Sequence, residues 1–323
     1  MHSSTSSSKQ AGRSGKTGPG LATSWLLLAG VIALLIVVEV VSRVAVPRLS
    51  KIERRTSEEY SRAIALGSRS QPSVRVLVAG NSLLNAGVDF PSLSKALGPE
   101  VEARRLVIES TEYYDWYYGL RRLIRPGARP DVVVLVLSAS HILSDGIRGP
   151  YSVHRMMQLR DLLRLAGELR LGRTDTSGLI LANLSAFYGL REELRKQTTS
   201  LLVPGLPALA GLFAAGSPGG LTPDGAYRIA LDRLPRLRAL VDQSGARLLI
   251  VIPPSRGGNV TDVTAAVKRA GAASGIDILV PIEPNQLGPE LYGDGSFHLN
   301  DRGAAIFTQR LVEELNGRLA SRR

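Results

Sequence analysis

Five short apolar runs, "VRVLVA" (74–79), "EARRLVIE" (102–109), "DVVVLVLS" (131–138), "ARLLIVIPP" (246–254) and "IDILV" (276–280), set the strongest limit on how this chain can fold. Their near-continuous β-branched character is that of strands buried on both faces, as in parallel sheets covered by helices. Helical periodicity is read between and after them at about 91–97, 112–125, 225–243, 261–274 and 301–319. In the last of these Phe307, Leu311, Leu315 and Leu319 recur every fourth residue behind a candidate cap at Asn300. The order β-α-β-α-β, insertion, α-β-α-β-α predicts an α/β fold: a doubly wound, flavodoxin-like parallel sheet of about five strands with right-handed crossovers.

The insertion spans about 146–223. It contains "YSVHRMMQLRDLLRLAGELRLGR" and "LILANLSAFYGLREELRKQ", both helical in period. A stretch without charge follows from Thr198 to Pro223, and its prolines and glycines argue against a regular membrane span. It reads as a lid, a membrane-surface contact, a partner-binding segment or a packed loop.

Ahead of the α/β region lie a disordered tail (1–20), rich in Ser, Gly and basic groups, an anchor (21–42) and a linker or helix (43–72). The anchor begins "LATSWLLLAGVIALLIVV", which carries no charge from Leu21 to Val38 and shows no polar face beyond Thr23 and Ser24. That length and composition fit one transmembrane helix rather than a buried core helix, and the run exceeds a usual signal-peptide core. The expectation is a single-pass membrane protein in contact with the lipid bilayer, its α/β domain extracytoplasmic. Lys9, Arg13 and Lys16 before the helix and Arg43, Arg48, Lys51, Arg54, Arg55 and Arg62 after it leave orientation unsettled by charge.

The chain has 323 residues, a net charge of +12 and no cysteine. A disulfide framework and a thiolate metal site are therefore excluded. Of the basic residues six are Lys and 34 are Arg, with no basic stripe interleaved with aromatics, so no nucleic-acid partner is expected. No metal-ligand spacing and no cofactor motif is present, and neither is expected as a requirement.

Gly80-Asn81-Ser82 ends the first strand, and in open parallel sheets ligands gather beyond the carboxyl ends of strands. Ser82 is thereby a candidate nucleophile, although the same triplet also makes an ordinary strand-to-helix turn. After the last strand, "GDGSFHLNDRG" clusters Asp294, His298 and Asn300 at the same edge. A serine hydroxyl needs a neighbouring imidazole to take its proton, and His298 is one of only four histidines in the chain. An ordinary loop histidine is the alternative.

Taken together, "VLVAGNSLL", "LVIESTEYYDWYYGLRRLI" with "RPDVVVLVLSASHIL", and "DGSFHLNDRGAAIF" resemble the blocks of the SGNH, or GDSL-like, hydrolase superfamily. Within it they resemble the membrane-anchored branch associated with acylation of cell-surface polysaccharides. The resemblance covers about 73–145 and 225–320. It implies Ser82 as nucleophile, His298 as base and Asp294 as acid, with Asn81, Ser110, Ser140, His141 and Asn300 as oxyanion or substrate-binding residues. This sequence departs from the pattern in three ways. Asp294 stands four residues before His298 where the family acid stands three before; Asn81 replaces the Asp of the GDS block; and the oxyanion Gly and Asn positions fall near Ser110 and near Ser140 or His141. The implied function is a serine esterase or O-acyltransferase acting on a cell-surface glycan. The alternative is an inactive scaffold of the same fold that binds glycan or a membrane acyltransferase partner.

Overall fold

The computed structural model describes residues 21–66, 74–195, 221–293 and 297–320. Five parallel strands form one sheet: β1 (Val74–Gly80), β2 (Val101–Val107), β3 (Val132–Val136), β4 (Arg247–Val251) and β5 (Asp277–Leu279), in the order β2-β1-β3-β4-β5. This is the flavodoxin-like order expected from the sequence, and its direction reverses between β1 and β3. The strand boundaries move by at most three residues from those read off the apolar runs.

The two faces of the sheet sort by the period-2 alternation of strand side chains. Val76 and Val78 of β1, with Val134, Val136, Leu249 and Val251, face helices α3 (Ser82–Gly87), α4 (Phe90–Ala96) and the C-terminal Asp301–Leu319 helix, whose Phe307, Leu311, Leu315 and Leu319 are fully buried. Leu77 and Ala79, with Leu106, Leu135 and Ile250, face the other layer. There lie helix α5 (Tyr113–Ile124), the crossover helix Pro223–Asp242 and the Val260–Ala273 helix. Short helices α6 (Ala139–Leu143), α7 (Pro150–Met156), α8 (Leu159–Glu168), α9 (Arg173–Leu184) and α10 (Ala186–Gly189) follow β3, so the helical insertion is present. The uncharged stretch read as a lid or contact segment lies almost wholly outside the described residues.

Helix α1 (Leu21–Leu49) is long and apolar enough, over Thr23–Leu49, to cross a membrane. It continues past residue 42, the end of the expected anchor, because its last turns pack on the insertion: Ser42 and Val46 are buried while Val40, Val41 and Val44 stay exposed. Helix α2 (Lys51–Ile64) follows, capped by Ser50, and lies along edge strand β2. Its Glu59 accepts from the Val107 N–H at 2.8 Å and pairs with Arg105, which occupies part of an otherwise open strand edge. Its Glu53, fully buried, accepts from the Tyr151 hydroxyl at 2.8 Å and pairs with Arg155 of α7.

Gly80 shows why β1 can end where it does. A Cβ at this position would stand 2.6 Å from the Val136 carbonyl oxygen and 3.0 Å from the Leu84 Cβ. The corner before Ser82 therefore closes against β3 only without a side chain. Gly80→Ala is expected to cost about 1–3 kcal/mol in unfolding free energy through overpacking against backbone, measured by urea denaturation.

Candidate active site

Asn81 builds the corner that carries Ser82. Its side-chain oxygen accepts from the Leu83 N–H at 3.0 Å, capping α3, and its Nδ2 donates to the Thr111 carbonyl at 3.0 Å. The residue is completely buried. Ser82 is thus the first residue of α3, fixed to both β1 and the loop after β2. That loop turns at Ser110, which adopts the left-handed region at φ 56°, a geometry glycine takes at less cost.

His298 arrives from the other end of the chain. An antiparallel bridge between Tyr292 and Leu299, and a hydrogen bond from the Gly293 N–H to the His298 carbonyl at 2.7 Å, tie together the backbone on either side of 294–296. Asn300 completes the clamp: its Oδ1 accepts from the Gly303 N–H, capping the C-terminal helix, while Nδ2 donates to the carbonyls of Glu290 (2.7 Å) and Tyr292 (3.3 Å). The result brings His298 Nε2 to 2.9 Å from Ser82 Oγ, across 216 residues of sequence. Asp294, the acid implied by resemblance, lies outside the described residues.

The amides of Asn81 and Asn300, expected among the oxyanion or substrate-binding residues, are both engaged by backbone groups. These contacts hold the backbone segments that carry Ser82 and His298. Ser110 is exposed in the loop after β2. Ser140 and His141 lie beyond β3, on the opposite side of the strand-order reversal from Ser82, and share a partner that sequence reading missed: Ser138. The Ser138 hydroxyl caps α6, lies 2.8 Å from Ser140 Oγ and 2.5 Å from His141 Nδ1. A serine immediately before a short helix was the signal available for it.

The electrostatics favour two neutral imidazoles. Burial lowers the His298 pKa below its ordinary 6.5, with the Glu109 carboxylate opposing the shift. Burial, and then the field of His298, brings His141 down to about 4. Phe297 stands between them, its ring centroid 5.9 Å from that of His141 and 5.1 Å from that of His298.

Glu109 and Arg55 were not singled out by the sequence. Glu109 directly follows the β2 region at the carboxyl edge, a position that marks it once the sheet is drawn. Arg55 comes from α2, before the first strand, and nothing local signals that it donates to Glu109 at 3.0 Å and to Asn85 at 3.3 Å. Among the described residues, no group of three His, Asp or Glu side chains is placed to hold a metal ion.

This geometry defines a parallel α/β protein with a serine–histidine pair at the topological switch point. No family model matches the chain, and no curated protein matches it. Among solved structures it is similar to the one titled "Crystal Structure of TesA", at 11% identity and a TM-score of 0.40, over 75% of this chain and 97% of that one. The reading of the site rests on its geometry rather than on this likeness.

Proposed function

We propose that the chain is a membrane-anchored, SGNH-like serine esterase or O-acyltransferase acting on hydroxyls of a cell-envelope glycan. The observation that carries the reading is the 2.9 Å contact between Ser82 Oγ and His298 Nε2 at the carboxyl edge of the sheet. A neutral His298 can accept the serine proton at Nε2 as Oγ attacks the acyl carbonyl. The developing oxyanion takes hydrogen bonds from backbone N–H groups at the Ser82 corner and from the post-β3 loop. If the Ser138 hydroxyl accepts from Ser140 and donates to His141 Nδ1, His141 keeps its proton on Nε2 and supplies a further donor. His298 then protonates the leaving group, and a glycan hydroxyl or water, deprotonated by His298, releases the acyl group from Ser82. The preference for transfer to a glycan comes from the sequence resemblance, and that for a membrane surface from α1.

The test is turnover of para-nitrophenyl acetate by the full chain in lipid vesicles, with and without a soluble polysaccharide acceptor, reading acetate release and acetylated acceptor separately. Acyl groups on the acceptor support transfer; release to water alone supports hydrolysis; no turnover favours the scaffold alternative, in which Ser82 has no covalent role.

A pH dependence follows from the same site. Since His298 acts as a base, kcat/KM is expected to fall on acidification with an inflection below 6.5. Glu109→Gln removes the carboxylate that holds the imidazole pKa up, and is expected to move that inflection lower still. A pH–rate profile of both proteins checks this, and an unchanged or raised inflection in the variant contradicts it.

A further inference from the structure

A carboxylate of α1 lies at the centre of its junction with the insertion. Glu39, on the last apolar stretch of α1, accepts from the Ser185 hydroxyl (2.8 Å) and from the N–H groups of Ala186 (2.8 Å) and Phe187 (3.3 Å) at the start of α10. Arg43, one turn on, pairs with Glu39 at 2.7 Å and donates to the Leu184 carbonyl at 3.3 Å. The end of α9 and the start of α10 are thus fixed beside a defined level of the apolar helix.

That level can be compared with a bilayer. From Thr23 to Val37, α1 stands clear of the domain, and at about 1.5 Å per residue this is about 22 Å of helix. A hydrocarbon core is about 30 Å thick and needs about 20 residues of untilted helix. The free part falls short by about a turn and a half, so a bilayer crossed by α1 reaches the level of Glu39 and the segment bonded to it. On that segment Leu181, Leu184 and Phe187 are 48%, 56% and 46% exposed, at intervals of three residues. No charged residue occurs from Thr176 to Leu190.

We propose that Leu181, Leu184 and Phe187 of the insertion lie in the boundary between headgroups and acyl chains of the same bilayer that α1 crosses. The occupant of this apolar face is lipid, because the face is continuous with the membrane helix and bonded to it where the hydrocarbon must end. The insertion then rests on the membrane, α1 and α10 together orienting the domain so that Ser82 is held at a fixed height. This inference rests on the membrane-anchored reading of α1.

The chain has no cysteine, so single cysteines label unambiguously. Leu34→Cys, Leu184→Cys, Phe187→Cys and Ile306→Cys, each exposed, would be coupled to an environment-sensitive fluorophore in the full chain. The labelled chains would then be reconstituted in phosphatidylcholine–phosphatidylglycerol vesicles carrying doxyl groups at shallow or deep acyl positions. The expected result is quenching by shallow doxyl lipid at 184 and 187, by deep doxyl lipid at 34, and by neither at 306, which lies on the helix layer across the sheet. Quenching at 34 with none at 184 and 187 overturns the proposal and leaves the anchored reading intact. Labels at 184 and 187 that are shielded from water yet not quenched by lipid overturn it in favour of a protein partner. No quenching at 34 overturns the anchored reading and this inference with it.

Discussion

Ser82→Ala and His298→Ala should each lower acyl-ester turnover by on the order of 10⁴- to 10⁶-fold, and the double variant should be no worse than either alone. In the proposed mechanism the two side chains perform one act. Without the imidazole the hydroxyl keeps its proton at neutral pH, and without the hydroxyl the imidazole has nothing to activate. The 2.9 Å separation already lies within proton-transfer reach, so the proposed transfer needs no rearrangement to bring them together. Steady-state rates at matched circular dichroism spectra check the result. Additive losses in the double variant would mean that the contact is not the catalytic unit.

Arg233→Met carries the largest expected effect on stability, a loss of about 3 kcal/mol, accompanied by a fall in kcat. Arg233, almost fully buried on the crossover helix, donates to the carbonyls of Ile142 and Ser144 at 2.8 Å each and pairs with Asp145. Its guanidinium lies over the Tyr113 and Tyr114 rings at 5.0 and 5.1 Å. Methionine fills comparable space but leaves two carbonyls without donors, and this unsatisfied pair dominates the cost. The Asp145 contact adds little because that carboxylate is largely exposed. The loop released is the one that begins with Ser138, Ser140 and His141, so activity should suffer along with stability. Urea denaturation and kcat on the same preparation test this, and an unfolding free energy within about 0.5 kcal/mol of the parent would contradict it.

The sheet was legible because its central strands are covered on both faces, which writes Val132–Val136 and Arg247–Val251 into the sequence as near-continuous apolar runs. The C-terminal helix was legible from four buried residues at one spacing and from its Asn300 cap. Ser82 and His298 could be paired because each sits at a strand's carboxyl end or just before a helix, and because the blocks around them resemble a known family. Asn81 and Asn300 were visible as candidates, but the backbone partners of their amides were not. Whether an amide faces substrate or a neighbouring carbonyl depends on loops that come from Thr111, Glu290 and Tyr292. Arg55 and Arg233 left no local trace, since each acts on a segment at least thirty residues away, and the bonds from Glu39 to the start of α10 were hidden for the same reason. A charge on a helix reads as a solvated face until its partner is placed. The last turns of α1 follow the same logic: they are helical where they pack on α10, not because they are apolar all round.

The most direct test of the central claim is covalent labelling of the full chain with a fluorophosphonate probe, followed by mass spectrometry of the modified peptide. The probe should be found on Ser82, with labelling abolished in Ser82→Ala and strongly slowed in His298→Ala. A native chain that is folded by circular dichroism yet takes no label, or takes it on another serine, would contradict an activated Ser82 and point to a binding scaffold.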